Sequence, residues 1–184
     1  MFHVERNTIY MSIEKIKASI RDVPDFPQPG IMFKDLTTVF KNGTELQEIA
    51  AMLYDKYKGI GLTKVVGIES RGFITGPILA EKLGIGFIPV RKKGKLPADT
   101  IEECYAKEYG VDVIQIHKDA LKPDDVVLLH DDLLATGGTM KAAYNLVKKF
   151  GVKTVYVNCL VELDFLKGRD TLEEAEEVYS LIHF

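Results

Sequence analysis

Asp131 and Asp132 stand side by side at the end of an apolar run, Val126-Val127-Leu128-Leu129-His130, and are followed by Leu133-Leu134 and then Ala135-Thr136-Gly137-Gly138-Thr139. Two glycines between hydroxyl residues let successive backbone N–H groups converge on one oxyanion, and Thr136 and Thr139 add hydroxyl donors. A helix opening at Thr139 would turn the positive end of its dipole toward the same point, so the segment suits a phosphate. Adjacent carboxylates repel that phosphate unless they are occupied as acceptors, which a vicinal diol achieves by donating to both. The ligand described by these residues is a phosphorylated sugar with a free diol. The competing reading, a solvated acidic turn ahead of a helix cap, does not explain why apolar strand, paired acids and TGGT occur in this order. A nucleotide P-loop would need G-x-x-x-x-G-K-[ST], which the chain lacks. These residues alone leave a catalyst and a sensor equally open.

A second concentration of chemistry is Arg91-Lys92-Lys93-Gly94-Lys95, directly after the apolar run that ends at Val90. Guanidinium forks and lysine point charges at the carboxyl end of a strand suit a polyphosphate. The formal net charge is −3, so the surface as a whole does not attract nucleic acid and an anionic ligand must be met by local positive charge. His130, beside Asp131, reads as a locally hydrogen-bonded residue and not as a catalyst or metal ligand. The two cysteines, Cys104 and Cys159, have no metal-like spacing, form no disulfide framework and suit a reducing compartment.

The elements that must position these residues follow from periodicity. Near-continuous apolar runs at Val65 to Ile68, Gly86 to Val90, Val126 to His130 and Thr154 to Leu160 predict strands buried on both faces. Helical patterns lie between them at Phe73 to Leu83 and Thr139 to Phe150, the second with Ala143, Leu146, Val147 and Phe150 on one stripe. Strands alternating with helices predict an α/β fold with a mostly parallel twisted sheet flanked by helices, which binds ligands at the carboxyl ends of its strands. Upstream, Ile13, Ile16 and Ile20 mark a short amphipathic helix, and Leu46, Ile49, Ala50, Leu53 and Tyr57 a longer one capped by Thr44. The proline-rich stretch from Pro24 to Gly30 reads as a rigid loop. Cys104 to Tyr109 and Val111 to Ile116 are expected to pair as an antiparallel ribbon around Gly110.

At 184 residues the chain is expected to form one domain at 12–184, with 1–11 a disordered extension or an upstream start ahead of Met11. It has no apolar run of the roughly 20 residues that cross a bilayer and no secretory-signal pattern, which leads us to expect a soluble, cytoplasmic protein.

The segment VVLLHDDLLATGGT resembles the phosphoribosyl pyrophosphate (PRPP) motif of the type I phosphoribosyltransferases. PDFPQPGIMFKD (Pro24 to Asp35), ESRGF (Glu69 to Phe73), VRKKGKLP (Val90 to Pro97), KEYG (Lys107 to Gly110) and LVEL (Leu160 to Leu163) resemble the adenine-using members of that family in particular. The resemblance runs from Ile13 to the C-terminus.

The resemblance implies the type I phosphoribosyltransferase fold with a small N-terminal hood at about 12–40 and a mobile catalytic loop at about 91–110. It implies that Ala135, Thr136, Gly137, Gly138 and Thr139 bind the 5-phosphate of PRPP, and that Asp131 and Asp132 hold its ribose hydroxyls. Glu69, Ser70 and Arg71, with a non-proline cis peptide between Glu69 and Ser70, match the pyrophosphate loop, to which Arg91 and Lys95 add charge. Glu108 matches the proposed general acid/base, with Arg71 as a second catalytic group and Tyr109 packing over the closed site. Met32 and Lys34 would read adenine through their backbones, while Phe33 and Leu133 give apolar surface. The implied reaction is Mg²⁺-dependent, converts PRPP and adenine to AMP and pyrophosphate, and is carried out by a homodimer that engages neither nucleic acid nor membrane. The ion is expected on PRPP's own oxygens near Asp131, with no cage made by protein alone. Three positions depart from the family: His130 replaces a usual Val or Ile, Glu69 a common Asp, and Lys34 a frequent Arg. A sister enzyme for hypoxanthine, xanthine or orotate, and a non-catalytic PRPP sensor, are the alternatives.

Overall fold

The computed structural model describes the backbone of residues 2–106 and 110–184, and the side chains of 11–105 and 110–184. The expected Glu108 and Tyr109 lie outside the described residues. The chain divides into two compact units, Met1–Lys56 and Tyr57–Phe184.

In the first unit, α1 (Phe2–Ser19) precedes a two-stranded antiparallel sheet of β1 (Arg21–Pro24) and β2 (Met32–Asp35), then α2 (Thr37–Phe40) and α3 (Gly43–Tyr57). The backbone of α1 is helical from Phe2, where a disordered extension was expected; no proline or glycine interrupts the run before Ser19. The proline-rich loop is the connection of a β-ribbon. Its turn is closed by the Gly30 N–H donating to Asp25 Oδ1 at 2.7 Å, and Phe26–Pro27 is a cis peptide. Asn42, and not Thr44, caps α3, its Oδ1 accepting from the N–H groups of Thr44 at 3.1 Å and Glu45 at 3.4 Å. Ser19 Oγ, at the end of α1, donates to Glu45 Oε2 at 2.7 Å. That bond joins α3 to the end of α1 within the N-terminal unit.

The second unit is built on β3 (Lys64–Ile68), α4 (Gly72–Leu83), β4 (Gly86–Lys92), β5 (Thr100–Ala106), β6 (Val111–His117), β7 (Val126–Leu134), α5 (Gly138–Lys148), β8 (Thr154–Glu162) and β9 (Glu177–His183). The sheet order is β5-β6-β4-β3-β7-β8-β9. Strands β4, β3, β7, β8 and β9 run parallel, and β6 joins β4 antiparallel through Arg91↔Gln115 and Lys92↔Ile114. The expected ribbon forms between β5 and β6, with Ala106 opposite Val111. Val66, Val127, Leu129, Val155 and Val157 are buried in one core with Ala143, Leu146 and Val147 of α5. Val65 and Leu128, on the opposite face, are buried as well, so the sheet is covered on both faces as those runs predict.

Strand β9 had no sequence signal, being an edge strand of mixed character, EVYSLIH, that is buried only toward its end. Strand β7 continues past His130 to Leu134 because β8 pairs alongside it, with Leu133 opposite Val161 and Leu134 opposite Glu162. The acid pair therefore sits within a strand and not in the turn that follows it.

Candidate active site

The turns after β3, β4 and β7 carry the expected chemistry, and the sheet order makes β3 the neighbour of both β4 and β7. A cavity of about 300 Å³ is lined by Glu69, Ser70, Arg71, Lys92, Asp131 and Asp132. A second, of about 160 Å³, is lined by Arg71, Asp131, Leu133 and the run from Leu134 to Met140. Arg71 and Asp131 face both. The turn of Glu69 to Arg71 and the run from Leu133 to Met140, separated by tens of positions in sequence, thus meet at Arg71 and Asp131.

The Glu69–Ser70 bond is cis, as expected, and α4 starts immediately after Arg71. Gly72 allows this turn to lie against β7: a Cβ there would be 2.8 Å from the His130 carbonyl oxygen. Arg71 Nε is ion-paired with Asp132 Oδ2, and the Asp132 side chain is only 2% exposed. Asp131 Oδ1 accepts from the Asp132 N–H at 2.9 Å. Burial, reinforced by the neighbouring Asp132 carboxylate, raises the Asp131 carboxyl well above the usual carboxylate range, against the opposing pull of the Asp132 N–H and Arg71. A cation or a diol donating to Asp131 would relieve that excess of negative charge.

Glu69 fastens the basic strand end. Its carboxylate accepts from Arg91 Nε at 3.1 Å, Arg91 Nη2 at 3.3 Å and the Lys92 N–H at 3.0 Å. Burial alone would raise the Glu69 pKa, but the Lys92 N–H and the Arg91 guanidinium outweigh it and hold the carboxyl below its ordinary value. Arg91 Nη1 also donates to the Lys95 carbonyl at 3.2 Å. Lys92 lines the larger cavity, whereas Arg91 and Lys95 do not. The alternation of β4 explains this, since neighbours on a strand leave on opposite faces. Behind the basic turn, Gln115 Oε1 accepts from the Gly94 N–H at 2.9 Å while its Nε2 donates to Glu102 Oε2 at 3.1 Å. Gln115 had no motif to mark it.

In the loop from Ala135 to Thr139, Gly137 takes a left-handed conformation, φ +83°, and its carbonyl accepts from the Lys141 N–H at 2.8 Å to begin α5. Ala135, Thr136, Gly138 and Thr139 all line the smaller cavity with it, as does Leu133, which was expected at the base. In the N-terminal unit, Met32 is exposed, Phe33 packs edge-on against Phe26 with ring centres 5.1 Å apart, and Lys34 Nζ meets Asp22 Oδ1 at 2.6 Å.

His130 is wholly buried between Thr75 Oγ1, 2.7 Å from Nε2, and Asn158 Oδ1, 2.8 Å from Nδ1. Asn158 Nδ2 donates to the Tyr179 carbonyl at 3.0 Å, which leaves its Oδ1 as the acceptor. The proton is therefore assigned to Nδ1, and Nε2 accepts from Thr75. Burial, only partly offset by Asn158, lowers the His130 pKa from 6.5 to about 4. It is a neutral core histidine that links α4, β7 and β8, in agreement with the sequence reading.

The mostly parallel sheet, with the paired acids on β7 and the glycine loop leading into α5, is the architecture of a known class of proteins. The phosphoribosyl transferase domain family matches residues 35–183, and the chain belongs to the phosphoribosyltransferase family. It is 65% identical over 168 residues to the adenine phosphoribosyltransferase of Bacteroides fragilis, covering 91% of this chain and 94% of that one. The adenine phosphoribosyltransferase of Rhodothermus marinus superposes with a TM-score of 0.88 at 46% identity, over 95% of this chain and 99% of that one. The enzyme of Giardia lamblia, solved with 9-deazaadenine, gives a TM-score of 0.89 at 44% identity, over 94% and 97%. Within the family, the chain groups with the adenine phosphoribosyltransferases.

Proposed function

We propose that the chain transfers the 5-phosphoribosyl group of PRPP to adenine, releasing AMP and pyrophosphate, with inversion at the anomeric carbon. The observation that carries this reading is Arg71, whose side chain faces both the cavity of Glu69, Ser70, Lys92 and the acids and the cavity of the Ala135–Thr139 loop. A sugar with a phosphate at one end and a pyrophosphate at the other fits that pair of cavities. The bond between the anomeric carbon and the pyrophosphate oxygen breaks, the pyrophosphate keeps the electron pair, and a ring nitrogen of adenine bonds to the carbon from the opposite face.

Each residue has a share in this. Ala135 to Thr139 hold the 5-phosphate by backbone N–H and hydroxyl groups. Asp131 and Asp132 accept from the ribose diol. Ser70, Arg71 and Lys92 meet the pyrophosphate and offset the charge it gains as it leaves. Glu69 contributes through its backbone, because its carboxylate is engaged by Arg91 and Lys92. Arg91 and Lys95 hold the basic turn near the pyrophosphate, and the loop at about 91–110 closes over the reacting carbon to exclude water. Glu108 moves the proton at the purine nitrogen next to the one that is glycosylated, with Tyr109 packing over it. The backbones of Met32 and Lys34 read the 6-amino edge, flanked by Phe33 and Leu133.

Mg²⁺ fits this donor set. Asp132 is committed to Arg71, so Asp131 is the carboxylate left to approach an ion that takes its other ligands from the substrate's oxygens. When bound, the ion supplies charge neutralisation of the leaving pyrophosphate. As part of the same proposal, the active form is a homodimer that works in the cytoplasm. Among the described residues no helix is long and apolar enough to cross a membrane.

The test is pyrophosphate release from PRPP and Mg²⁺ with adenine, hypoxanthine, xanthine or orotate supplied in turn. Turnover with adenine alone is expected. Preference for a 6-oxo purine or orotate would overturn the base assignment, and PRPP binding without turnover on any base would replace the enzyme with a sensor.

A further inference from the structure

The segment after β8 forms two short 3-10 turns, Asp164–Leu166 and Gly168–Leu172, and packs on the phosphate loop without lining its cavity. Its contact is backbone on backbone. A Cβ at Gly137 would sit 2.5 Å from both the Gly168 carbonyl oxygen and Thr171 Oγ1, and a Cβ at Gly168 would come within 2.9 Å of the Gly137 nitrogen. Thr171 Oγ1 donates to that same Gly168 carbonyl at 2.8 Å. Lys167, with φ +53°, turns the chain into this position.

What holds the turn there is Arg169, the residue after Gly168. Arg169 forks onto the nearly buried Glu162 at the end of β8, with Nε 3.0 Å from Oε1 and Nη2 2.6 Å from Oε2, and Nη1 donates to the Val178 carbonyl of β9 at 2.7 Å. Glu162 in turn lies opposite Leu134, the last residue of β7 before the loop. The two ends of the loop's support, the strand that enters it and the turn that backs it, are thereby tied to one carboxylate.

We propose that Arg169 is a positioning residue for the 5-phosphate: it presses the Gly168 carbonyl and Thr171 hydroxyl against Gly137 and so fixes the left-handed turn from which α5 starts. The inference rests on the reading of Ala135 to Thr139 as the 5-phosphate site. Three donors in one plane serve two separate groups, the Glu162 carboxylate and the Val178 carbonyl, which a lysine ammonium cannot reproduce at the same reach.

The experiment is calorimetric titration of ribose 5-phosphate and, separately, of pyrophosphate into the unsubstituted protein, Arg169→Lys and Arg169→Gln, with kcat and the KM for PRPP measured alongside. The dissociation constant for ribose 5-phosphate is expected to rise about tenfold in Arg169→Gln and less in Arg169→Lys. Pyrophosphate affinity stays within about twofold, and the loss falls on KM rather than kcat. Unchanged ribose 5-phosphate affinity, or equal loss of both anions, would overturn the proposal. If Arg169→Gln does not fold, Thr171→Val removes only the hydroxyl at Gly137 and is expected to shift the same constant alone; no shift overturns the proposal equally. Failure of the unsubstituted chain to bind ribose 5-phosphate would overturn the phosphate-site reading, and the role of Arg169 with it.

Discussion

Arg71, in the turn after β3, donates its Nε to Oδ2 of Asp132 in β7, so one ion pair spanning 61 positions of sequence joins that turn to the paired acids. A buried carboxylate that loses its cation costs about 1–3 kcal/mol, and more when no other donor replaces it. Arg71→Gln is therefore expected to lower stability by about that amount and to weaken pyrophosphate binding. Adding Asp132→Asn removes the stranded charge, so the double variant should regain stability in urea unfolding without regaining pyrophosphate affinity. Recovery of both together would show that Arg71 acts through Asp132 alone.

Lys92 faces the larger cavity while Arg91 is held by Glu69 and the Lys95 carbonyl. Lys92→Ala should raise the dissociation constant of pyrophosphate by about tenfold at low salt, with a difference that shrinks as salt screens the charge. Titrations at two ionic strengths test this. A salt-independent loss would assign Lys92 a packing role.

The two glycines of the loop should separate fold from ligand. Gly137 has φ +83° and no room for a Cβ, so Gly137→Ala is expected to cost about 1–2 kcal/mol from the backbone alone, with the collision at Gly168 added. Gly138 has open space at its Cβ position and opens α5. Gly138→Ala should keep the thermal midpoint and lower only the affinity for ribose 5-phosphate, because the methyl enters space that the ligand needs. Normal affinity in Gly138→Ala would move the phosphate away from that residue.

His130 links stability to pH. Its folded pKa of about 4 lies below the ordinary 6.5, so the unfolded chain binds a proton more readily than the folded one. Its contribution is complete above pH 6.5 and is lost as pH falls through that window toward 4, by about 3 kcal/mol in total. His130→Gln cannot titrate and should lose less stability than the parent between those two pH values. Parallel urea-unfolding curves for the two proteins across the window would sink the assignment of a neutral, buried imidazole.

Much of the second unit was legible in the residues because its signals are local. The runs at Val65, Gly86, Val126 and Thr154 are apolar on both strand faces, which only a covered parallel sheet tolerates, and the glycines and hydroxyls of Ala135 to Thr139 state their own backbone chemistry. Less local features were not legible. The β1–β2 ribbon was hidden in a proline-rich stretch, and β9 carries the weak pattern of an edge strand.

The loop from Ala135 to Thr139 and the acids beside it could be picked out as a candidate site from sequence, since donors that could meet a phosphate lie consecutively along the chain. Which groups stand opposite one another was decided by tertiary structure alone. Strand order brought Arg71 to Asp132, and alternation along β4 gave the cavity Lys92 and left Arg91 to Glu69. The return of the chain after β8 set Gly168 against Gly137. These pairings depend on register and close packing between distant segments, which no spacing along the chain encodes.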